Sequence, residues 1–380
     1  MTRRPLTVLQ VLPALVTGGV ERGTVEVAAA LVAAGHKALV ASSGGPMVKE
    51  IEAAGGTHIE LPLASKSPFT IYRNVERIAS AIWRNDVDIV HARSRAPAWS
   101  AWGAAYLARK PFVTTFHNAY GAGSAPKRFY NSVMARGDRV IAISQFVGDY
   151  ARSVYGVTED RLRIIPRGVD TARFDTAAVS PDRVSTLREQ WKLPPGMPVI
   201  MLPGRMSRWK GHLVLVDALA KLNRTGIVCM MVGGEDGSCR KDIRSLADQK
   251  GIGGIVRLAD DCRDMPAAYM LADIVVSPST RPEGFGRVII EAQAMGRPVI
   301  ATDHGGARES VVHGKTGWLV PPGDAEALAR ALADILSLSP EARTLLARTA
   351  ADHVRRNFTT ARMTGHTLEV YEEVSKVVPK

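Results

Sequence analysis

Short, continuous apolar runs separated by segments of helical pattern recur along the whole chain. These runs do not alternate between apolar and polar residues, which indicates strands buried on both faces, as in a parallel sheet covered by helices. They form two series: 6–12, 37–42, 88–92, 111–116 and 139–144, then 198–203, 227–232, 274–278 and 297–302. The pattern predicts an α/β protein with two parallel sheets.

The length of the chain and the stretch between the two series indicate two domains. A chain of 380 residues exceeds what one core commonly supports. Four prolines and a glycine lie between residues 181 and 198, which is typical of a linker. We therefore expect a first Rossmann-like domain at 1–178, a linker at 179–197 and a second Rossmann-like domain at 198–359, with a helix at about 360–380 that packs back on the first domain.

Cysteine usage and the N-terminus favour a cytoplasmic protein. Cys229, Cys239 and Cys262 have no paired spacing, so neither a disulfide framework nor a zinc site is expected. The apolar run near the N-terminus superficially resembles a signal peptide, but Gln10 and Pro13 interrupt it and it fits a buried first strand equally well. No stretch reaches the roughly 18 to 20 apolar residues that span a bilayer.

The positive charge of the chain is unevenly distributed. The formal net charge is +12, and residues 89–137 contain seven Lys/Arg and no acidic residue. An acidic partner for the first domain is therefore expected: a phosphate, an anionic lipid surface or a nucleic acid. The tract shows no RNA-binding signature, so we expect no nucleic acid.

Gly18 and Gly19 lie between the first apolar run and a helix expected from about Val20. Glycines allow backbone N–H groups to approach a phosphate closely, and a helix N-terminus favours negative charge. A tight turn without a ligand would use the same residues, so this loop leaves both interpretations open. The glycine spacing does not match G-x-G-x-x-G, which disfavours a nicotinamide cofactor, and no cofactor is expected.

The corresponding loop of the second series is GRMSRWKG at 204–211. Arg205 and Lys210 lie between a strand end and a helix. Fixed cations there suit the pyrophosphate of a nucleotide sugar, whose negative charge grows as the glycosidic bond breaks. Two cations in a loop are also common on a solvated surface.

The most specific segment is PEGFGRVIIEAQAMGRPVI at 282–300. Glu283 precedes a glycine-flanked turn, and Glu291 follows eight residues later inside an apolar helix. If the segment were helical throughout, the two would lie about 12 Å apart along the axis, which suits contacts with a sugar and a ribose. Glu291 requires a partner because burying an unpaired carboxylate is costly. The alternative is a helix cap and a solvent-facing glutamate.

Over essentially its whole length the chain resembles family 4 of the retaining glycosyltransferases, which have the GT-B fold. The Glu-x7-Glu spacing is specific here because it follows a strand end that contains Pro278 and Ser279. The resemblance implies two Rossmann-like domains that face each other across a cleft. The motifs that carry it are the Gly18-Gly19 loop, TTFHNAY around His117, VIAISQFVGDY, the GR…KG loop, EGFGRVIIE and DHGGARESVVHGKTGWLVPPGD.

The resemblance implies a role for each candidate residue. The two cations of the 204–211 loop would hold the donor diphosphate, Glu283 and the following amides would bind sugar hydroxyls, and Glu291 would bind the ribose. The glycine loop of the first domain would approach the phosphates, and a histidine would lie beside the sugar ring. The donor-binding set is thus Gly18, Gly19, Arg205, Lys210, Glu283, Gly284, Phe285, Gly286 and Glu291, and the catalytic set is His117, Arg205, Lys210 and Glu283.

The family resemblance also implies the reaction. The leaving phosphate would accept the proton of the acceptor hydroxyl, the anomeric configuration would be retained, and the enzyme would be a hexosyltransferase. The sequence has no convincing dedicated base. It also has no Asp-x-Asp in a strand-end loop, so arginine and lysine would replace a metal, and no metal site is expected.

Arg167 departs from the family pattern, which commonly has Asn-Gly-Val-Asp where this chain has Arg-Gly-Val-Asp at 167–170. Together with HARSR at 91–95, it resembles the alphaproteobacterial lipopolysaccharide-core transferases, some of which use GDP-mannose. The donor stays open between GDP-mannose and a UDP-sugar. The expected acceptor is a cell-envelope glycan or glycolipid, with lipopolysaccharide core as the first choice.

The resemblance implies that the first domain binds the acceptor and the second the nucleotide sugar. The cationic tract suggests a membrane-facing surface on this acceptor-binding first domain. Lys127 and Arg128 adjoin Phe129 and Tyr130 in a glycine-rich region. Cations near an anionic leaflet and interfacial aromatic residues both favour membrane association. We expect these residues to contact the inner face of the cytoplasmic membrane, where a lipid-linked acceptor lies; an ordinary solvated rim is the alternative.

Two other functions fit the same sequence. One is a different sugar-nucleotide enzyme on this fold, an epimerase or a hydrolase. The other is a protein that binds anions without catalysis.

Overall fold

The computed structural model describes residues 4–234 and 238–376, and the chain divides into two compact units. The first unit holds the described residues up to Arg167 together with those from Thr360 onward, and the second runs from Gly168 to Thr359. The boundary expected at 178 thus lies at 167. The stretch expected as a linker at 179–197 falls inside the second unit.

The first unit is a parallel sheet with helices in its crossover connections. Its strands are β1 (Thr7–Val11), β2 (Lys37–Ser42), β3 (Thr57–Glu60), β4 (Ile89–Ala92), β5 (Phe112–Phe116), β6 (Arg139–Ala142) and β7 (Leu162–Ile164). Its helices before the second unit are α1 (Gly19–Ala33), α2 (Val48–Ala53), α3 (Pro68–Arg84), α4 (Arg95–Leu107), α5 (Ala125–Ser132) and α6 (Gln145–Tyr155), with a short 3-10 helix at Val133–Ala135.

The strand order of this sheet is β3-β2-β1-β4-β5-β6-β7, and every pairing is parallel. The order therefore reverses between β1 and β4, which leaves a crevice at their carboxyl ends where α/β proteins commonly bind ligands. Val8 of β1, Val40 of β2 and Leu31 of α1 belong to the core beneath it.

The second unit repeats this plan with six strands. They are β8 (Val199–Pro203), β9 (Val228–Val232), β10 (Val256–Ala259), β11 (Ile274–Ser277), β12 (Val299–Thr302) and β13 (Trp318–Val320). The helices are α7 (Pro181–Gln190), α8 (His212–Leu222), α9 (Cys239–Gln249), α10 (Met265–Leu271), α11 (Arg287–Ala294), α12 (Ala307–Ser310), α13 (Ala325–Leu336) and α14 (Pro340–Asn357), with 3-10 helices at Thr176–Ala178 and Arg208–Lys210.

The strand order of the second sheet is β10-β9-β8-β11-β12-β13, again parallel throughout, so its order reverses between β8 and β11. Helix α7 occupies the stretch that we expected as a linker. Its Leu187 is buried, as are Trp191 and Leu193 just beyond it. These apolar side chains make the segment part of a packed unit, although its prolines are typical of a linker.

The predicted α/β fold with two Rossmann-like sheets is confirmed. The nine apolar runs correspond to β1, β2, β4, β5, β6, β8, β9, β11 and β12. The four strands that the sequence did not reveal are β3, β7, β10 and β13, and these form the two edges of each sheet. An edge strand is only partly buried, so it needs no continuous apolar run.

The last helix, α15 (Thr360–Ser375), belongs to the first unit. Tyr371 and Val370 are buried in the core of that unit. Glu373 forms an ion pair with Arg139 at 3.1 Å and is also bound by Arg163.

Among the described residues, no helix combines the length and the apolarity needed to cross a bilayer.

A hydrogen-bonded chain ties α15 to the centre of the first sheet. The Tyr371 hydroxyl lies 2.6 Å from Nδ1 of His91, and Nε2 of His91 lies 2.7 Å from the Thr115 hydroxyl. Burial, followed by the charges of Arg93 and Arg167, holds the pKa of His91 well below its ordinary value of 6.5. His91 is therefore neutral, and each ring nitrogen has one partner.

We expect Tyr371→Phe to destabilise the protein by about 1 to 3 kcal/mol, because it leaves Nδ1 of His91 buried without a partner. The measurement is the free energy of unfolding in urea. Tyr106→Phe is the matched control, since Tyr106 is 77% exposed and should change the free energy by less than about 0.5 kcal/mol. If the two variants have the same free energy of unfolding, the hydroxyl of Tyr371 does not stabilise the fold.

Candidate functional site

Three adjacent strands of the second sheet direct their carboxyl ends to one site. β8 is followed by the 204–211 loop, β11 by the 278–286 loop and β12 by the 303–306 loop. Since β8 pairs with β11 and β11 with β12, these loops are neighbours at the point where the strand order reverses.

Backbone contacts hold the 204–211 and 278–286 loops together. The carbonyl of Trp209 accepts hydrogen bonds from the backbone N–H of Thr280, at 2.7 Å, and from its hydroxyl, at 3.2 Å. Gly211 has φ +80°, and a Cβ there would lie 1.9 Å from the carbonyl oxygen of Pro278. Only glycine permits this approach, so the loop positions Lys210 against the end of β11.

Glu283 is bound by a lysine and a serine side chain. Nζ of Lys210 lies 2.8 Å from Oε2 of Glu283, and the Ser279 hydroxyl donates to Oε1. Both side chains of the ion pair are mostly buried, with 18% of Lys210 and 15% of Glu283 exposed. Lys210 has three donors, and its hydrogen bond to Glu283 uses one of them among the described residues.

The 303–306 loop supports Glu283 from the neighbouring strand. The N–H of Gly306 donates to the carbonyl of Glu283 at 2.9 Å, and a Cβ on Gly306 would lie 2.5 Å from the carbonyl oxygen of Gly284. The segment belongs to a motif of the family pattern, but the sequence alone does not single out Gly306 or Ser279 as site residues. The signal in the sequence is a glycine pair that follows a buried strand after two intervening residues.

Glu291 has the partner that its burial requires. The Tyr269 hydroxyl donates to Oε2 of Glu291 at 3.0 Å, and Nε of Arg287 lies 3.6 Å from Oε1. Burial, followed by the charge of Glu291, raises the pKa of Tyr269 well above its ordinary value, so the phenol stays protonated as a donor. Tyr269 lies on α10 and was not identified from the sequence.

Glu283 lies outside the helix that contains Glu291. α11 begins at Arg287, so the axial spacing for a fully helical segment does not apply to Glu283. The intervening residues 284–286 form a turn in which Gly286 has φ +84°. Phe285 is buried and packs edge-on against Phe358 at 5.4 Å, so only its backbone is available to a ligand.

The two cations of the predicted donor-binding set differ in exposure. Arg205 is exposed, whereas Lys210 is mostly buried. A small cavity beside Glu283 is lined by Ser279, Gly286 and His304, among others. Within the described ranges, no group of three or more His, Cys, Asp or Glu side chains has an arrangement that would hold a metal ion.

In the first domain, Arg167 connects the other predicted residues. Its Nη2 donates to the carbonyl of Gly19 at 2.7 Å and lies 3.0 Å from Nδ1 of His117. Gly18, with φ +142°, is the N-cap of α1, and both glycines are exposed. Sequence reasoning noted Arg167 only as a departure from the family pattern, but the structure places it between two of the site residues.

The contact with Arg167 defines the proton position on His117. A guanidinium has no acceptor, so Nδ1 of His117 must accept, and the proton lies on Nε2. Burial, followed by the charges of Arg167 and Arg93, holds the pKa of His117 well below 6.5. Nε2 is inaccessible to solvent and has no hydrogen-bond partner among the described residues. His117 is thus neutral and carries its proton on a buried nitrogen that bonds to no described residue.

Lys127 and Arg128 lie on α5, and both are exposed. Arg128 donates to the carbonyl of Val154 at 2.8 Å. Phe129 is 64% exposed and stacks on Trp99 with ring centroids 5.1 Å apart. The cationic tract does not form one surface, however, because Arg93 is buried.

Comparisons with known proteins define the family. Residues 17–173 match the family described as Glycosyltransferase Family 4, and residues 184–352 match Glycosyl transferases group 1. The D-inositol 3-phosphate glycosyltransferase of Saccharomonospora viridis is 31% identical over 313 residues, which cover 75% of this chain and 70% of that protein. The chain belongs to glycosyltransferase family 4.

Solved structures of glycosyltransferases have the same architecture. A glycosyltransferase from Rickettsia africae is 40% identical, with a TM-score of 0.90, and the match covers 99% of this chain and 100% of that one. Anabaena HepE, solved in complex with UDP-glucose, is 23% identical, with a TM-score of 0.84 and coverage of 97% and 100%. At that identity the second likeness supports the GT-B fold alone.

The different surroundings of the two glutamates predict different effects of substitution in this glycosyltransferase. If Glu283 contacts the donor sugar, Glu283→Ala should lower kcat by about 100-fold or more, because contacts with the reacting ring strengthen in the transition state. If Glu291 binds the ribose, Glu291→Ala should raise the Kd of the nucleotide sugar by about 10-fold or more. Steady-state kinetics and titration calorimetry measure the two quantities.

Glu326→Ala is the control for this pair, since Glu326 is exposed on α13 in the same domain. It should leave both quantities unchanged. Turnover of Glu283→Ala equal to that of the wild type would remove Glu283 from the catalytic set.

Proposed function

We propose that this glycosyltransferase transfers a hexose from a nucleoside-diphosphate sugar to an acceptor of the cell envelope, with retention at the anomeric carbon and without a metal ion. The observation that carries the proposal is the Lys210–Glu283 ion pair, which three interlocked loops hold at the carboxyl edge of the second sheet. A carboxylate suits sugar hydroxyls, and an adjacent ammonium suits a diphosphate.

The second domain binds the donor in this proposal. The ammonium group of Lys210 and the exposed guanidinium of Arg205 neutralise the diphosphate. Glu283, together with the backbone of 284–286, binds the sugar hydroxyls. Glu291, held by Tyr269, accepts hydrogen bonds from the ribose hydroxyls.

The proposed reaction occurs on one face of the sugar. The bond from the anomeric carbon to the diphosphate oxygen breaks, and the cations stabilise the negative charge that develops on the leaving group. The acceptor hydroxyl attacks from the side on which the diphosphate departs, forms the new glycosidic bond and passes its proton to a diphosphate oxygen. The roles of Gly18, Gly19 and His117 toward the donor remain predictions, and the Nε2–H of His117 suits a sugar hydroxyl.

Two acceptor classes are supported by different observations. An exposed aromatic and cationic face on the first domain favours a lipid-linked acceptor, with lipopolysaccharide core as the first candidate. The name of the Saccharomonospora viridis relative favours a soluble phosphorylated cyclitol, inositol 3-phosphate. Both belong in the acceptor panel of the experiment below.

The first test is a thermal-shift screen of UDP-, GDP- and ADP-sugars, followed by product analysis with the acceptor panel. At about 100 times its Kd, the correct donor should stabilise the protein by about 2.7 kcal/mol and raise Tm by several degrees. Transfer should yield a product of unchanged anomeric configuration and should persist after exhaustive chelation, because lysine and arginine supply the charge. Loss of activity that magnesium or manganese restores would contradict the metal-independent proposal.

The same screen separates the other functions. Conversion of the donor to an isomeric nucleotide sugar without an acceptor would indicate an epimerase. Release of free sugar alone would indicate a hydrolase. Stabilisation by simple phosphates, without any nucleotide preference or turnover, would indicate an anion-binding protein.

We further propose that the first domain associates with the anionic inner face of the cytoplasmic membrane through α5 and the aromatic side chains beside it. Trp102 lies next to Trp99, and the guanidinium of Arg136 lies 4.7 Å from the ring centroid of Trp102. Tyr106 extends the row with high exposure. A row of aromatic rings with bordering cations is the composition that binds at a lipid interface.

We expect wild-type protein to co-sediment with anionic vesicles at low salt, because each surface cation contributes about 1 kcal/mol to the free energy of membrane binding. High salt should release the protein, because it screens this attraction. Lys127→Glu/Arg128→Glu should weaken this binding by at least about 10-fold. Lys37→Glu/Lys49→Glu is the matched control, since it makes the same change in charge at exposed positions on β2 and α2.

Co-sedimentation distinguishes binding through α5 from binding through net charge and from no membrane binding. If both double variants lose binding equally, net charge rather than α5 is responsible. If wild-type protein stays in the supernatant with anionic vesicles, the membrane proposal is wrong.

A further inference from the structure

Trp209 immediately precedes Lys210 in the loop after β8. Its carbonyl accepts the backbone and the hydroxyl hydrogen bonds of Thr280, so its backbone is fixed against the loop after β11. Trp209 and Lys210 also belong to a short 3-10 helix, in which the N–H of Lys210 donates to the carbonyl of Ser207 at 3.0 Å. These backbone contacts define where both side chains begin.

The ammonium group of Lys210 lies over the ring of Trp209. Nζ is 4.7 Å from the ring centroid. An aromatic face attracts a cation within about 6 Å, and indole attracts it more strongly than the other aromatic side chains do. Trp209 is partly buried, and only 18% of the Lys210 side chain is exposed. Water therefore screens this attraction less than it would at an exposed site.

The Lys210 side chain has further contacts along its length. Its Nζ lies 2.8 Å from Oε2 of Glu283. A Cβ built on Gly204 would lie 4.0 Å from Cε of Lys210, so the lysine stem passes beside a residue without a side chain. The ammonium group is thus held between a carboxylate and an aromatic ring. The carboxylate neutralises the positive charge, whereas the indole ring carries no net charge and leaves the positive charge intact.

We propose that Trp209 is a positioning residue of the donor site, and that its ring holds the ammonium group of Lys210 where a diphosphate binds. The inference rests on the proposed function, in which Lys210 binds the diphosphate and Glu283 binds the sugar. Ordering a flexible lysine side chain costs conformational entropy, and a side chain that is already ordered avoids this cost on binding. The ring also keeps the ammonium group in place when sugar hydroxyls compete for Glu283.

UDP and GDP are the probes, titrated by calorimetry, and the one that binds wild-type protein more tightly is used. Trp209→Leu should raise its Kd by about 3- to 30-fold. Trp209→Phe should raise it less, because a phenyl ring attracts a cation more weakly than indole does but more strongly than an aliphatic side chain. Trp83→Leu is the matched control, since it makes the same change at a 60% exposed position on α3 and should leave the Kd unchanged.

A double-mutant cycle separates the contact with Lys210 from general support of the loop. Lys210→Met keeps an unbranched side chain and removes the charge. In this background, Trp209→Leu should change the Kd by less than about 2-fold, because the interaction that it removes is already absent. If Trp209→Leu raises the Kd in this background as much as it does in the wild type, the ring supports the loop alone and the proposal is wrong.

Fluorinated tryptophan tests the ring while leaving its shape nearly unchanged. Fluorine withdraws electron density from the face of the indole, so the Kd should rise from tryptophan to its monofluoro and then to its difluoro form. The chain has six tryptophans, so the same replacement in Trp209→Phe protein is the control and should leave the Kd unchanged. This series keeps the proposal testable if Trp209→Leu fails to fold. A Kd that does not respond to fluorination at Trp209 would overturn it.

The sugar provides one more discriminating measurement. If Trp209→Leu raises the Kd of UDP-glucose or GDP-mannose but not that of UDP or GDP, the ring contacts the sugar, and its proposed role toward Lys210 is wrong. Equal fold-changes for the nucleotide sugar and the nucleoside diphosphate support the proposal. Failure of the proposed function has a separate signature, namely that wild-type protein binds neither UDP nor GDP.

Discussion

Parallel strand pairing is the constraint on which both domains depend. A parallel sheet needs a crossover after every strand, so both faces are covered and all strands end at the same edge. In each sheet the order reverses once, between β1 and β4 and between β8 and β11. The loops that carry Gly18 and Gly19, Lys210 and Glu283 follow β1, β8 and β11, which are strands at these reversals. These candidate residues therefore lie where the backbone topology leaves room for a ligand.

Ion pairs hold the two candidate glutamates at this edge of the second sheet. Lys210 pairs with Glu283, and Arg287 lies 3.6 Å from Glu291. All four side chains are mostly buried, so removal of one partner would leave a poorly solvated charge on the other. A ligand that binds here has to offer both glutamates contacts that replace or add to these pairs.

The sequence was sufficient for the interior strands and the fold, because interior strands must be apolar throughout. The roles assigned to the residues of the strand-end loops stay predictions. It was not sufficient for the edge strands, whose exposed residues carry no such pattern. The sequence also does not show which residues contact the candidate glutamates in the folded protein. Tyr269 contacts Glu291 from another helix, and Gly306 contacts Glu283 from the loop after another strand. Local composition was misleading for Arg93, which looked like part of a surface tract and is buried because it directly follows a central strand.

The return of α15 to the first domain has a consequence for biosynthesis. His91 acquires its Tyr371 partner from a residue 280 positions later in the chain. Domains emerging from the ribosome generally fold in order from the N-terminus, but here the first domain to emerge lacks part of its core until α15 has been synthesised. The second domain, contiguous from Gly168 to Thr359, has all its strands earlier and can complete its packing first. A nascent chain stalled before α15 would thus contain a complete second domain and an incomplete first domain, a state in which chaperone binding and proteolysis concentrate on the first domain.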